Sequence, residues 1–416
     1  MGDLKILILL AWRNVWRNRR RTLLTVLTIV VGCAMIIFNN ALFHGGTEKM
    51  IEDAVTLNTG YLQIHQKGYW ENRTIDRAFI PGEELLTELN RLKGERRITG
   101  YSFRICSEAL LSRGGATFGA VLQSIEPGRD RGITSLQKRV LPGGRELREE
   151  DGLQVLIGES LARNLRAAPG DEISMLSQAF DGSMAAERLV VAGIFRSGNP
   201  QYDRAYVLMP YRQAAASFSL GDYVHAVVIG LPQSSEAINV EQRLRGMAEG
   251  AGLEILDWNR LIPEIVQFVV MDISVGYVFD IILFVVVAFG VLNTIQMSVL
   301  ERTKEFGVML SIGTSPGKVF SMVMMEALLI SLAGILIGAA LGSAASYYVK
   351  LHPFDYSRWA EEFAVWGVLT TVYPARMTLM NLFMTSGITF LLIAAFTCIP
   401  ALRASRLRPV EAMRHL

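Results

Sequence analysis

The sequence is poor in the residues that build disulfide, metal or redox centres. It has three cysteines, Cys33, Cys106 and Cys398, and no CxxC pair. Cys33 and Cys398 lie in predicted membrane spans, so the large polar region between them holds one cysteine and no internal disulfide. The histidines lack the spacing of metal ligands: His44, His65, His225, His352 and His415. The polar region, of roughly 220 residues, must therefore be stabilised by its own apolar core.

Motifs of catalytic sites are also absent: the sequence has no HExxH, no GxSxG and no EF-hand pattern. The nearest approach to a phosphate-binding loop is Gly313–Val319. Three residues instead of four separate Gly313 from Gly317, and Val319 replaces the hydroxyl residue that binds magnesium. We therefore expect no catalytic residue, cofactor or metal in this chain, and no ATP hydrolysis by it.

Charge is nearly balanced, at a net +2, and gives no indication of nucleic acid as a partner. Hydrophobic residues make up 51% of the chain and are clustered, which is typical of a membrane protein. The basic residues are unevenly distributed along the chain. They crowd before the first apolar run and after the last: Arg13, Arg17, Arg19, Arg20 and Arg21, then Arg403, Arg406, Arg408 and Arg414.

Four long apolar runs predict four membrane spans. They are Thr22–Phe43, Ile281–Leu300 (inside a helix over Pro263–Glu301), Val319–Val349, and Leu379–Ile399, which Pro400 closes. A cleaved or lipidated signal at Cys33 is disfavoured, because Ala34–Phe38 stays apolar after that cysteine. The arginines before the first span and in the tail place both ends in the cytoplasm.

The predicted fold is an α-helical membrane protein with four transmembrane helices and a large α+β extracytoplasmic domain between the first two. We divide the chain into an interfacial elbow helix (1–21), the first span and stalk (22–56), the outer domain (57–262), a stalk and the second span (263–300), a cytoplasmic coupling loop (301–318), the third span (319–349), an outer loop with an aromatic interfacial helix (350–378), the fourth span (379–400) and a cytoplasmic tail (401–416). The elbow prediction depends on Trp12 and Trp16, four residues apart beside arginines; a flexible basic tail is the alternative.

Mixed strand and helix patterns fill the outer region. Tyr61–His65 alternates as a strand, and Val155–Leu165 reads as a helix entered from an apolar strand. Isolated helices and many Gly/Pro turns among the strands favour an α+β domain. Two lobes that divide near Ile125–Gly144 are one arrangement that fits this pattern.

Three acidic residues fall in or near the spans, and each has two explanations. Asp272 and Asp280 are expected on the stalk or at the outer interface, because Ile281–Leu300 is already long enough to span; the alternative is a buried acid on a transport path. Glu326, one or two turns inside the third span, is expected to snorkel or to pair with a basic residue of the coupling loop. A proton-relay role is the alternative, which is disfavoured because no second acid or histidine accompanies Glu326.

Small residues recur every four positions in the third span, at Gly334, Gly338, Gly342 and Ser346. Such a ladder lets another helix approach closely, so we predict helix packing at these residues.

The polar segment Glu301–Lys318 interrupts two apolar runs and is too short to form a domain. Its mixture of charged, apolar and glycine residues predicts a short amphipathic helix that ends in a turn. We expect this helix to contact a separate ATPase through the following residues: Glu301, Arg302, Lys304, Glu305, Phe306, Gly307, Leu310 and Gly313.

These residues carry a resemblance to the FtsX/MacB-type permease family. The matching stretches of the membrane part are Ala11–Arg21, Asn293–Val299, Glu301–Gly307, Met309–Gly313, Glu326–Leu329 and Pro400–Met413. In the outer domain Gly60–Tyr69, Ile157–Ala162, Gly170 with Asp171, and Val190–Phe195 look like the lipoprotein-releasing branch.

The resemblance implies a bacterial inner-membrane permease that works by mechanotransmission. Its implied partners are a cytosolic ABC ATPase dimer that holds ATP and Mg²⁺, a second permease copy or paralogue, a lipoprotein substrate, a periplasmic carrier and membrane lipids. Export of peptides or drugs, as in the MacB type, is the alternative within the class. Regulation of cell-wall hydrolases, as in the FtsX type, is the alternative from another class.

Overall fold

The computed structural model describes Arg13, residues 17–359, Glu362 and residues 370–407. Most of the predicted elbow with Trp12 and Trp16, the middle of the outer loop and the end of the tail lie outside the described residues.

The described α-helices of four or more residues are α1 (Arg19–Ala54), α2 (Glu83–Gly94), α3 (Pro127–Asp130), α4 (Glu159–Leu165), α5 (Pro200–Ala205), α6 (Tyr211–Ser217), α7 (Ala237–Gly250), α8 (Trp258–Leu261), α9 (Pro263–Glu301), α10 (Thr303–Ser311), α11 (Pro316–Leu351) and α12 (Leu379–Ser405). The strands are β1 (Leu62–Gln66), β2 (Gly100–Arg104), β3 (Cys106–Arg113), β4 (Ala116–Ile125), β5 (Gln154–Gly158), β6 (Glu172–Gln178), β7 (Met184–Phe195), β8 (Tyr206–Pro210), β9 (Ala226–Gly230), β10 (Leu253–Asp257), β11 (Phe354–Asp355) and β12 (Val372–Tyr373).

The chain forms two compact units. A helical unit comprises the residues up to Thr47, Val270–Phe354 and the residues from Val372 onward. An α+β unit comprises Glu48–Val269 and Asp355–Thr371.

Four of the described helices are long and apolar enough to cross a membrane: α1 with its π-helical extension to Thr59, α9, α11 and α12. The predicted helix Pro263–Glu301 has these bounds in the structure. The fourth helix differs from its prediction, because it continues past Pro400 to Ser405. Proline removes one backbone donor, and helices in a membrane tolerate this loss when neighbouring groups satisfy the freed carbonyl.

A four-stranded antiparallel sheet forms one lobe of the α+β unit, in the order β10-β1-β9-β2. Central strand β1 pairs Ile64 with Ile255 of β10 and with Val227 of β9. The helices α2 and α7 bury Leu89 and Leu244 in the core of this lobe. The order follows from two βαβ units, β1-α2-β2 and β9-α7-β10, whose strands interleave.

A closed six-stranded barrel forms the second lobe, in the order β3-β4-β8-β5-β7-β6. All of its strands lie between β2 and β9 along the chain, so the barrel is an insertion within the first lobe. The predicted division near Ile125–Gly144 is therefore wrong. Pairing between the first and last strands of the unit sets the boundary, and the local pattern of turns does not report such long-range pairing.

The stretch Val155–Leu165 also differs from its prediction, since its first residues are strand β5 and only Glu159–Leu165 is helical. Residues of β5 pair in parallel with β7 and antiparallel with β8, and this pairing holds the segment in an extended conformation. Gly158, where the strand changes to a helix, allows the backbone of Asp203 to approach closely, because a Cβ atom there would lie 2.1 Å from the carbonyl oxygen of Asp203.

Candidate functional site

The polar segment after α9 folds as the short helix α10 between two tight turns. Arg302 leaves the helical conformation, with φ −105° and ψ 15°, and separates α9 from α10. At the other end Gly313 has φ +95°, and the amide of Thr314 donates to the carbonyl of Met309 at 2.9 Å. Glycine adopts this left-handed conformation without strain, which is a common way to end a helix. Pro316 then opens α11.

Arg302 is the centre of a network that fixes α10. Its Nη1 donates to Glu326 Oε2 of α11 at 2.9 Å, and its Nε donates to Glu305 Oε2 at 3.0 Å. The guanidinium also lies 5.2 Å from the centre of the Phe306 ring. Both side chains of the Arg302–Glu326 pair are 11% exposed, so the pair is largely removed from solvent. Buried ion pairs need such additional hydrogen bonds to offset their desolvation.

Two arginines at the start of the described chain extend this network. Arg17 contacts the carboxylate of Glu305, and Arg21 Nη1 lies 2.6 Å from Glu301 Oε2. Burial raises the pKa of Glu305, but hydrogen bonds from Arg17 and Arg302 outweigh it and hold the pKa below its ordinary value. Glu305 is therefore ionised at neutral pH and links α10 to the chain before the first span.

The structure divides the predicted contact residues into buried, partly buried and exposed ones. Phe306 and Gly307 are buried, and Phe306 packs in the core of the helical unit with Val299, Val319 and Val323. Glu305 and Leu310 are partly buried. Glu301, Lys304 and Gly313 are exposed. Burial thus makes Phe306 and Gly307 anchors of the helix, which are not accessible to a partner.

An exposed face of α10 includes residues that the sequence analysis did not select. Lys304, Val308 and Ile312 lie four residues apart, so they share one side of the helix. Val308 is 47% exposed and Ile312, just past the helix end, is 77% exposed. The spacing of these residues is a signal that could have identified this face. It is chemically suited to contact an apolar surface of another protein with a charged rim.

The glycine ladder of α11 packs closely against α1. A Cβ atom would lie 2.7 Å from Ile29 Cγ2 at Gly334, 2.8 Å from the Val30 carbonyl oxygen at Gly338, and 2.8 Å from the Ala34 carbonyl oxygen at Gly342. Ser346 donates to the Gly342 carbonyl at 2.8 Å and adds no bulk to the contact. Any larger side chain at the three glycines would push α11 away from α1.

Acidic residues of α9 lie in polar contacts with α1. Thr47 Oγ1 donates to Asp272 Oδ2 at 2.7 Å, and Asn39 Nδ2 donates to Asp280 Oδ1 at 3.3 Å. Asp272 is partly exposed, as expected for a stalk residue, but Asp280 is only 9% exposed. Asp280 is therefore buried, as in the alternative prediction, and is not an exposed stalk residue. No group of three His, Cys, Asp or Glu side chains that could hold a metal occurs among the described residues.

Two family models match the chain. The MacB-like periplasmic core domain matches residues 22–247, more than half of the chain, and the FtsX-like permease C-terminal model matches residues 277–409. Together with the four spanning-length helices, these matches define a membrane protein with an extracytoplasmic domain. The chain belongs to the FtsX/MacB-type family of permeases.

Curated relatives are similar at low identity. The macrolide export ATP-binding/permease protein MacB of Neisseria meningitidis is 22% identical over 416 residues, which cover 96% of this chain and 59% of that protein. A probable export ATP-binding/permease protein of Pseudomonas fluorescens is 24% identical and covers 99% of this chain. This chain spans 61% of the latter protein.

Two solved structures that resemble part of the chain are extracytoplasmic regions. The periplasmic region of MacB from Actinobacillus actinomycetemcomitans has a TM-score of 0.36 and 16% identity, and the match covers 52% of this chain and 97% of that one. The extracellular domain of the transporter YknZ from Gram-positive bacteria has a TM-score of 0.33 and 15% identity, covering 48% and 100% of the two chains.

Proposed function

We propose that this chain is the permease subunit of an ABC transporter whose ATP is bound, with Mg²⁺, and hydrolysed by a separate ATPase dimer. The observation that carries this proposal is α10, a short helix anchored by buried groups on one side and exposed on the other. Lys304, Val308 and Ile312 form the contact surface for the ATPase. The chain itself contributes no catalytic group.

The proposed orientation places α10 and both chain ends in the cytoplasm of a bacterium, and the α+β unit outside the inner membrane. The arginines before α1 and in the tail support it, because basic residues are enriched on the cytoplasmic side. Their ion pairs are consistent with this arrangement, since Arg17 and Arg21 contact carboxylates at the same end of α9 and α10.

Force applied to α10 reaches two spans through specific contacts. Arg302 holds Glu326 of α11, so a displacement of α10 moves the beginning of that helix. Arg17 and Arg21 hold Glu305 and Glu301, so the same displacement moves the start of α1. A short helix that is coupled to two long helices by charged contacts is suited to mechanotransmission. In this proposal the domain outside the membrane is the part that moves.

The proposed substrate is a lipoprotein, extracted from the inner membrane and passed to a periplasmic carrier. Gly60–Tyr69, Ile157–Ala162 and Val190–Phe195 support it, because they look like the lipoprotein-releasing branch of the family. A second permease copy or paralogue completes the membrane part of the transporter, as the family resemblance implies.

Export of a macrolide or similar compound is the second candidate. The names of several relatives favour it, since they are macrolide export proteins that match nearly the whole chain. Their identity of 22% leaves the substrate of this chain open to experiment.

Purification of the chain from native membranes, followed by mass spectrometry of co-purifying proteins, tests the proposal. We expect an ABC ATPase together with triacylated lipoproteins. An ATPase without lipoproteins, in cells that become macrolide-sensitive when the gene is deleted, would favour export. A cell-wall hydrolase in place of lipoproteins would favour the regulatory alternative, and the absence of any ATPase would contradict the proposal. The variant Ile312→Asp serves as the matched negative control, because it should fold but fail to co-purify with the ATPase.

A further inference from the structure

A cavity in the helical unit is lined by residues of the three helices α1, α9 and α12. Its volume is about 530 Å³, within the range of small-molecule sites. Most of its wall is apolar and includes Phe43, Tyr277, Phe284 and Met384. A few polar groups interrupt this wall: Asn40, His44, Thr47, Asp280, Asn381 and Thr385. An apolar cavity with a few convergent polar groups is the usual form of a binding site for an amphiphilic ligand.

The cavity lies at a defined depth. Asp280 precedes the end of α9 at Glu301 by 21 residues, which is about 31 Å along a helix. Thr385 precedes the end of α12 at Ser405 by a similar length, about 30 Å. The hydrocarbon core of a bilayer is about 30 Å thick, so both residues reach the interface opposite to α10. A ligand there would have its chain in the membrane and its headgroup at the surface.

Among the described residues that line this cavity Asp280 is the only acidic one, and it is 9% exposed. Its described partners are the neutral amides of Asn39 and Asn40. Asn40 also donates to Thr385 Oγ1 at 3.4 Å, which ties the polar wall together. A carboxylate at this depth is costly without a cation, and residues of this kind mark ligand or ion pathways.

We propose that this cavity binds an amphiphile whose headgroup carries a protonated amine, with Asp280 as the counter-ion and the apolar wall around the chain. Charge complementarity selects this occupant. An anionic headgroup would be repelled, and a neutral one would leave the carboxylate without a cation. The amine can come from a bilayer lipid such as phosphatidylethanolamine or from an amphiphile that is not a lipid.

The test uses the full chain in nanodiscs of phosphatidylglycerol, without an ATPase, so its outcome does not depend on the proposed coupling. The probes are dodecylamine and dodecanol, each with a photoactivatable diazirine in the chain. Cross-linking yield against probe concentration gives the apparent affinity, and peptide mapping locates the label. We expect the amine to label residues 273–284 and 381–388 and to bind more tightly than the alcohol.

The variant Asp280→Asn should weaken amine binding about 10- to 100-fold, the usual effect of losing a hydrogen bond to a charged group, and leave alcohol binding unchanged. Asp272→Asn is the matched control, because it removes an acid of the same helix that does not line the cavity. Met384→Trp fills the apolar part while Asp280 is kept, and should weaken binding of both probes. Equal amine binding by wild type and Asp280→Asn, or labelling elsewhere, would overturn the proposal.

Adding phosphatidylethanolamine to the nanodiscs separates the two sources of the amine. Competition with the probe supports the amine site and identifies a bilayer lipid as its occupant. Unchanged probe affinity, with the Asp280→Asn effect retained, supports the amine site for an amphiphile that is not a lipid.

Discussion

Arg302 donates to Glu326 across 2.9 Å and joins the start of α10 to α11, about three turns from the beginning of that helix. The pair is nearly enclosed, and Arg302 has a further partner in Glu305. It is therefore a direct and largely buried side-chain link between the start of α10 and α11.

Removing Glu326 should destabilise the helical unit. Loss of one partner of a buried ion pair costs about 3–5 kcal/mol, and we expect the lower end for Glu326→Ala because Arg302 retains Glu305. The measurement is the thermal unfolding of the full chain in detergent. The exposed pair Arg21–Glu301 provides the control, since Glu301→Gln should cost at most about 1 kcal/mol.

A double variant separates charge from packing at the same place. Arg302→Met with Glu326→Leu replaces both charges by apolar groups, so no unpaired charge is left buried. This variant should be more stable than Glu326→Ala. If it were less stable than the single variant, the argument from an uncompensated buried charge would be wrong.

Gly338→Ala should loosen the packing of α11 on α1, because the new Cβ atom would lie 2.8 Å from the carbonyl oxygen of Val30. Overpacking of this kind costs about 1–3 kcal/mol. Gly387→Ala in α12 is the matched control, since no heavy atom lies within 4 Å of its added Cβ. Thermal unfolding of both variants should show a loss of stability for Gly338→Ala alone; equal behaviour would contradict the close approach.

Acid should destabilise the α+β unit through His65. Burial, followed by the charges of Arg73 and His225, lowers the pKa of His65 from 6.5 to about 3. Between these values the unfolded chain binds a proton that the folded chain does not, so stability is lost as pH falls below about 6.5. The expected loss from pH 7 to pH 5 is about 1–2 kcal/mol.

Denaturant unfolding of the full chain at pH 7 and pH 5 measures this effect. A His65→Asn variant should show a smaller loss between the two pH values, whatever its stability at pH 7. The exposed His352 is the control, and His352→Asn should keep the pH dependence of the wild type. An unchanged pH dependence in His65→Asn would exclude His65 as its source.

The exposed face of α10 should decide the binding of the ATPase. Ile312→Asp places a charge at a side chain that is 77% exposed, so the chain should still fold while co-purification of the ATPase is lost. Met184→Asp, at an equally exposed apolar residue of the α+β unit, should leave co-purification intact. Glu305→Lys is a poorer test, because it would place a cation between Arg17 and Arg302 and disturb the anchor itself.

Some elements were predictable because their signals are local. The apolar length and flanking charges identify the long helices, and the predicted helix Pro263–Glu301 has the same bounds in the structure. The failures concern tertiary contacts. Strand pairing holds residues 155–158 in an extended conformation, and α12 continues through Pro400. Pairing of β1 with both β9 and β10 places the barrel inside the first lobe.

The amino-acid sequence by itself determined the four apolar helices, the mixed α+β region and the existence of a short polar helix after α9. Periodicity, apolar length and charge are local properties of the sequence, so they can be recognised without knowledge of the fold. Only the tertiary structure decided which residues of α10 are anchors and which are exposed, and that Asp280 lines a cavity. Burial depends on elements that are distant in sequence, here α1, α11 and α12, and no local pattern reports their positions.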